Sequence, residues 1–187
     1  VEWSLRATPA WLGGPDAGVY VIAVMPFLDD GRLAEASGDR MVDFYAGCGV
    51  AGLTILGVMG EAPKLDTQEA VGFARRVVKR CGALPVIVGV SAPGFAAMRT
   101  LAHGAMEAGA AGVMIAPPGT LRTDDQIAGY YAQAAEAIGA GVPFVIQDDP
   151  QGSGAVLSVG VTGPTAEARP PWPLRNHRGW AEPDACP

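Results

Sequence analysis

Between residues 18 and 150, short runs apolar at nearly every position alternate with longer segments in which apolar residues return every three or four places. Runs apolar throughout suit strands covered on both faces, as parallel strands are. The longer period is that of a helix with one buried side. The runs are GVYVIAVM (18–25), GLTIL (52–56), PVIVGV (85–90), GVMIA (112–116) and PFVIQ (143–147). Their starts lie roughly thirty residues apart, which is one strand, one helix and the turns between them. Repeated alternation of this kind predicts parallel βα units.

The helical segments have readable ends. In TDDQIAGYYAQAAEAI, Thr123 and Gln126 stand at capping-box spacing, and Ile127, Tyr130, Tyr131, Ala134 and Ile138 share one face. In DTQEAVGFARRVVKRC, Asp66 or Thr67 can cap, and Val71, Ala74, Val77, Val78 and Cys81 line one side. Its Arg75, Arg76, Lys79 and Arg80 gather toward the C-terminal end, where cations suit the helix dipole. A third helix buries Met98, Leu101, Ala102 and Ala105 and stops at Gly109. A weaker one over 34–46 rests on Met41, Phe44 and Tyr45, with Gly47 as its stop.

After Pro150 the rhythm changes. AVLSVGV (155–161) predicts one more strand, and from about Gly163 prolines at 164, 170, 171, 173, 183 and 187 forbid helix interiors and central strands. The expected organisation is an extension over 1–17, βα units over 18–162 and an irregular tail over 163–187. The tail's proline, arginine and tryptophan fit a GC-rich gene read out of frame, so a frame change is expected there. Val1 in place of methionine points to an unusual start codon or the edge of a longer chain.

Composition narrows the class. Of 187 residues, 49% are hydrophobic and 17% charged, which suits one soluble domain with a sizeable core. A net charge of -6 without a basic run speaks against nucleic acid and against an anionic membrane surface. The stretch from Val19 to Leu28 is broken by Pro26 and is shorter than the roughly 20 residues a membrane span needs. The opening VEWSLRATPAWLGG does not read as a secretory signal. Cys48, Cys81 and Cys186 are odd in number and form no CxxC pair, so neither a disulfide framework nor a zinc site is expected. Cytoplasmic location follows, with Cys48 and Cys81 as buried free thiols.

In parallel barrels chemistry gathers at the C-terminal ends of the strands. The residues there are Pro26 and Phe27, Gly57 to Glu61, Ser91, Ala116 to Gly119, and Gln147 to Asp149, with no histidine, cysteine, lysine or tyrosine among them. GVMGE (57–61) is either a turn whose amides cradle a carboxylate or an ordinary βα turn with Glu61 solvated. Asp148 and Asp149 could bind a divalent metal with Glu61, supply a general base, or form a solvated acidic turn; adjacent residues point apart, so one faces the site. Ser91 is expected to bond its local turn. His103 lies within a helix and His177 in the tail, and neither takes a role.

In that order, GVYVIAVMPFLDDGRL, LTILGVMGEAPKLDTQEA, PVIVGVSAPG, GAAGVMIAPP and PFVIQDDP resemble the dihydrodipicolinate synthase and N-acetylneuraminate lyase family over roughly residues 18 to 150. The resemblance implies an α/β fold, the N-terminal five to six βα units of a (β/α)₈ TIM barrel, incomplete at the C-terminus. It implies a lyase or aldolase, commonly tetrameric, in which a sixth-strand lysine forms a Schiff base with pyruvate or a related 2-oxo acid. Such an enzyme needs no cofactor or metal. The family's Gly-Thr-Thr-Gly-Glu carboxylate turn matches Gly57, Val58, Met59, Gly60 and Glu61, the first four being the expected substrate-binding residues. Its proton-shuttling tyrosine matches Gln147, the candidate catalytic position.

The departures change the expected chemistry. Val58 and Met59 keep the amides and lose the hydroxyl relay, and Gln147 can hydrogen-bond but cannot shuttle a proton. Pro118 and Gly119 stand where the family often has aromatic residues. The lysines of this chain, Lys64 and Lys79, both precede the third strand, which suggests divergence and a C-terminal portion absent from this chain. The leading expectation is a truncated Schiff-base lyase, inactive as written. The alternatives are a metal-assisted aldolase using Glu61 with Asp148 or Asp149, and a non-catalytic half-barrel that pairs with itself or another chain.

Overall fold

The computed structural model describes residues 18–150, 154, 157, 158 and 175–177. The strands are β1 (Tyr20–Ile22), β2 (Gly52–Ile55), β3 (Val86–Gly89), β4 (Gly112–Ile115), β5 (Phe144–Asp148) and β6 (Arg175–His177). Helices α1 (Glu35–Gly47), α2 (Thr67–Cys81), α3 (Phe95–Glu107) and α4 (Asp124–Ile138) connect the first five. All pairings are parallel and follow chain order. The sheet curls into part of a TIM barrel, as the sequence rhythm and the resemblance together imply.

Alternation along the strands divides two faces. Leu53, Ile55, Val86, Val88, Val113, Ile115, Phe144 and Ile146 join the helices in one core, while Ile87, Met114 and Val145 cluster on the other face with Tyr20. The second set points inward, toward the barrel axis. Every position of β2 to β5 is buried, which is why these strands read as continuous apolar runs.

The helix ends follow the sequence. Asp66 and Glu69 exchange backbone bonds of 3.0 and 2.8 Å at the start of α2, so Asp66, rather than Thr67, is the cap. Thr123 and Gln126 do the same for α4. The α2 stripe is wider than expected. Ala70, Phe73, Ala74 and Val77 are buried, whereas Val71 turns toward Gly104 of α3 and Val78 toward Gly109 just past it. A helix flanked by both a sheet and a neighbouring helix needs an apolar arc broad enough for both. The α2 cations look the other way: Arg76 grips Asp39 through two 2.8 Å bonds and Glu35 through one of 2.6 Å, and Arg80 grips Asp43. These arginine bonds hold the Asp39 and Asp43 carboxyls below their ordinary range.

Three expectations are corrected. The strand beside β5 comes from the tail expected to be irregular, as Arg175–His177; of the expected strand over 155–161 only Leu157 and Ser158 are described, neither in a strand, and its other positions lie outside the described residues. The sequence 174–182 is free of proline and can offer amides to the edge of β5, a local opening that the tail's overall proline density conceals. The remainder of the tail expected to be irregular lies outside the described residues. Cys48 is exposed just past the end of α1. Cys81 is half-buried, and desolvation pushes its thiol up to about 11; Cys186 lies outside the described residues. Finally, α1 buries Gly38 and Val42, with Phe44 67% exposed. Gly38 lets the Phe73 ring of α2 approach closely.

Candidate active site

At the C-terminal ends of the strands lies a cavity of about 740 Å³. Gly57 and Val58 after β2, Ser91 after β3, Ala116 after β4, and Gln147 and Asp149 of the β5 end all line it. The chain reaches this arrangement through a tight crossing. Leu56 adopts φ 55, and a Cβ on Gly89 would overlap its carbonyl oxygen. Only glycine lets the β2 end pass over β3 so closely. Holding a leucine in the left-handed region costs on the order of 1–2 kcal/mol, and its buried side chain fixes it there.

Beyond Leu56 the chain forms two 3₁₀ turns, Val58–Gly60 and Ala62–Lys64, joined at Glu61 with φ 48. Gly60 donates to the Gly57 carbonyl (3.0 Å) and Glu61 to that of Val58 (3.1 Å). The amides of Val58 and Met59 stand outside these two bonds. Met59 and Gly60 belong to the turn but do not line the cavity, and Val58 and Met59 are each about half exposed. Glu61 points elsewhere, pairing with Lys64. Lys64 in turn sits 5.9 Å from the Phe27 ring centroid.

The β5 end separates its polar residues by parity. Gln147 and Asp149 share the inward face with Val145 and line the cavity. Asp148, between them, alternates to the helix side, and its charge adds to the raised pKa of Tyr131. All three are buried, at 2%, 2% and 6% exposure, so the acidic turn is not solvated. Gln147 Nε2 has no hydrogen-bond partner among the described residues. The inward aim of one aspartate matches the reading from adjacency; the grouping with Glu61 does not form. Among the described residues no three His, Cys, Asp or Glu side chains gather as metal ligands.

Ser91 does not bond its own turn. Its Oγ accepts the Ala116 amide at 2.8 Å and ties the end of β3 to that of β4. Sequence reasoning also left the site without a tyrosine, because it considered strand ends alone. Tyr130 lines the cavity from α4, donating to the Ala116 carbonyl at 3.3 Å, and burial pushes its phenol up to about 12. Beside it, buried Tyr131 donates to the Ile115 carbonyl at 3.1 Å. The early position of both in α4 was the available signal, since the first turns of a βα helix lie close to the strand end that feeds it. His103 is exposed on α3, its Nε2 3.3 Å from the Ile138 carbonyl, away from the cavity.

The sequence model of the dihydrodipicolinate synthetase family matches residues 16–168. The chain belongs to that family. Among solved structures, dihydrodipicolinate synthase from Rhodopseudomonas palustris is 50% identical with a TM-score of 0.84, over 95% of this chain and 57% of that one. YagE, a prophage protein of the dihydrodipicolinic acid synthase family from E. coli K12 solved in complex with pyruvate, shares the fold at 24% identity and TM-score 0.71, over 80% and 51%. L-2-keto-3-deoxyarabonate dehydratase of Azospirillum brasilense is 34% identical over 146 residues, 75% of this chain and 46% of the relative. The chain spans about half the length of the curated relatives it matches. The dihydrodipicolinate synthetase family is one of lyases and aldolases, and no helix among the described residues is long and apolar enough to cross a membrane.

Proposed function

We propose that the strand-end cavity binds pyruvate or a related 2-oxo acid, with the Gly57–Gly60 turn on its carboxylate, and that this chain as written forms no Schiff base with it. The observation that carries the binding reading is the convergence of Gly57, Val58 and Gln147 on one cavity. The YagE complex with pyruvate adds support from a protein of the same fold. Gln147 holds the position of the family's tyrosine, and its amide offers a hydrogen bond without a titratable proton. A cytoplasmic setting remains the reading for a chain whose described cysteines are free thiols.

An iminium needs an amine that is unprotonated and placed at the site. Lys64 is 67% exposed and paired with Glu61, and Lys79 is exposed near the end of α2. Neither lines the cavity. The strand beside β5 carries Arg175, Asn176 and His177. Borohydride added with pyruvate converts an iminium into a stable secondary amine that mass spectrometry detects. No rapid, stoichiometric adduct is expected, and such an adduct on Lys64 at neutral pH would show a recruited catalytic amine.

One observation favours the half-barrel reading alongside this. Among the described residues β1 and β6 each have one neighbour, so the sheet is open at both edges. An open parallel sheet invites pairing with a second copy or another chain. The metal-assisted reading gains nothing from the geometry, because Glu61 is committed to Lys64 and stands apart from the cavity that Asp149 lines.

A further inference from the structure

The cavity is larger and more apolar than a three-carbon acid requires. Besides Gln147 and Ser91, its wall includes Leu65, Ala70, Ala92, Ala97 and Leu101, an apolar arm contributed by α2, α3 and the residues just before them. The charged residues on its wall are Asp66 and Asp149, both acidic. Asp66 is already engaged in capping α2. Among the described lining residues there is no lysine, arginine or histidine to recognise a second anionic group. At the inner end stands the Gln147 amide, 2% exposed, with Nε2 unpaired among the described residues. A buried donor without an acceptor is costly, and an acceptor atom on a ligand removes that cost.

From the unpaired amide at one end and the apolar arm at the other, which carries Asp66 but no cation among the described residues, we infer that the site selects a 2-oxo acid bearing an apolar side chain of several carbons. Its 2-oxo oxygen accepts the Gln147 Nε2 hydrogen bond, and its hydrocarbon end occupies the arm between α2 and α3. This rests on the reading of the cavity as a 2-oxo acid site and goes beyond it by naming the kind of acid. A second carboxylate or a phosphate in the arm would meet apolar walls and Asp66, with no cation among the described lining residues to offset desolvation. Each additional buried methylene is worth roughly fourfold in affinity.

Calorimetric titration of the 187-residue protein with pyruvate, 2-oxoglutarate and 4-methyl-2-oxopentanoate tests this, beside Gln147→Leu, Ala97→Phe and Leu101→Asn. The branched acid, with three more carbons than pyruvate, is expected to bind about tenfold tighter or better, and 2-oxoglutarate weakest. Gln147→Leu should weaken both monocarboxylic acids. Ala97→Phe, which fills the arm, should bring the branched acid back to the level of pyruvate and leave pyruvate unchanged. Leu101→Asn gives the same selective loss through polarity rather than bulk, so the question stays answerable if the larger substitution does not fold. Pyruvate or 2-oxoglutarate binding as tightly as the branched acid overturns the inference and leaves the 2-oxo acid reading standing. Equal loss of pyruvate and branched acid in both arm variants overturns the arm, and an unaltered Gln147→Leu overturns the role of the amide. Binding of none of the three acids overturns the underlying reading itself.

Discussion

Tyr130 and Tyr131 lie side by side on α4 with ring centroids 5.4 Å apart, and each donates its phenol proton to a carbonyl near the end of β4. Burial raises both pKa values, Tyr130 to about 12 and Tyr131 well above its ordinary 10.0, the latter also through Tyr130 and Asp148. Below about pH 10 both phenols are protonated whether the chain is folded or not, so their contribution to stability is complete. Above it the unfolded chain loses those protons first, and stability falls as pH climbs through the folded values. Half-buried Cys81 starts the decline earlier, its thiol rising from 9.0 to about 11 on folding. Urea midpoints should therefore fall steadily from about pH 9 upward, and Tyr131→Phe with Cys81→Ala should flatten that fall. The phenylalanine itself should cost about 1 kcal/mol at neutral pH for the lost Ile115 bond. Midpoints independent of pH up to 11 would mean that these groups are hydrated in the folded protein.

At the scale of elements, α2 and α3 meet through a small-for-large exchange. A Cβ on Gly104 would lie 2.8 and 2.9 Å from the two methyls of Val71. Replacing a mid-helix glycine by alanine ordinarily gains up to about 1 kcal/mol, but here the methyl must push the helices apart at a cost of about 1–3 kcal/mol. Gly104→Ala should destabilise the protein in the presence of Val71 and stabilise it in a Val71→Ala background. Denaturant unfolding of the four proteins of that cycle measures the coupling, and additive changes would show that the helices do not touch there. The rhythm of the sequence displays all four helices and β1 to β5, because strands covered on both faces and capped amphipathic helices leave strong local patterns. It does not display β6, since a three-residue strand at a sheet edge needs only free amides and carries no period. The left-handed Leu56 was also hidden, because its cause, Gly89, acts from the neighbouring strand. A glycine within the PVIVGV run was nonetheless a readable mark of close backbone approach. For the site, Gly57, Val58 and Gln147, read from the strand ends, all line one cavity. Tyr130 escaped because it enters from a helix face, and a chain read position by position does not show which helix residues lean over a strand end.

At the scale of the whole molecule, six parallel strands in the order β1 to β6 form an open sheet among the described residues, with helices on its outer face and strand ends converging on one cavity. On the half-barrel reading, edges open among the described residues, with Val19 and Val24 exposed beside β1, favour self-association. Sedimentation velocity should show concentration-dependent oligomers, whereas a monodisperse monomer with a cooperative melt would indicate that the edges are protected. On the proposed reading, 2-oxo acid recognition resides in the turn after β2 and the end of β5. A nitrogen–proton correlation spectrum of the protein titrated with pyruvate tests it most directly. Saturable shifts confined to the Gly57–Gly60 amides and the Gln147 side-chain amide are the predicted result, without a new covalent species. Shifts centred elsewhere, or no shifts at all, would contradict it.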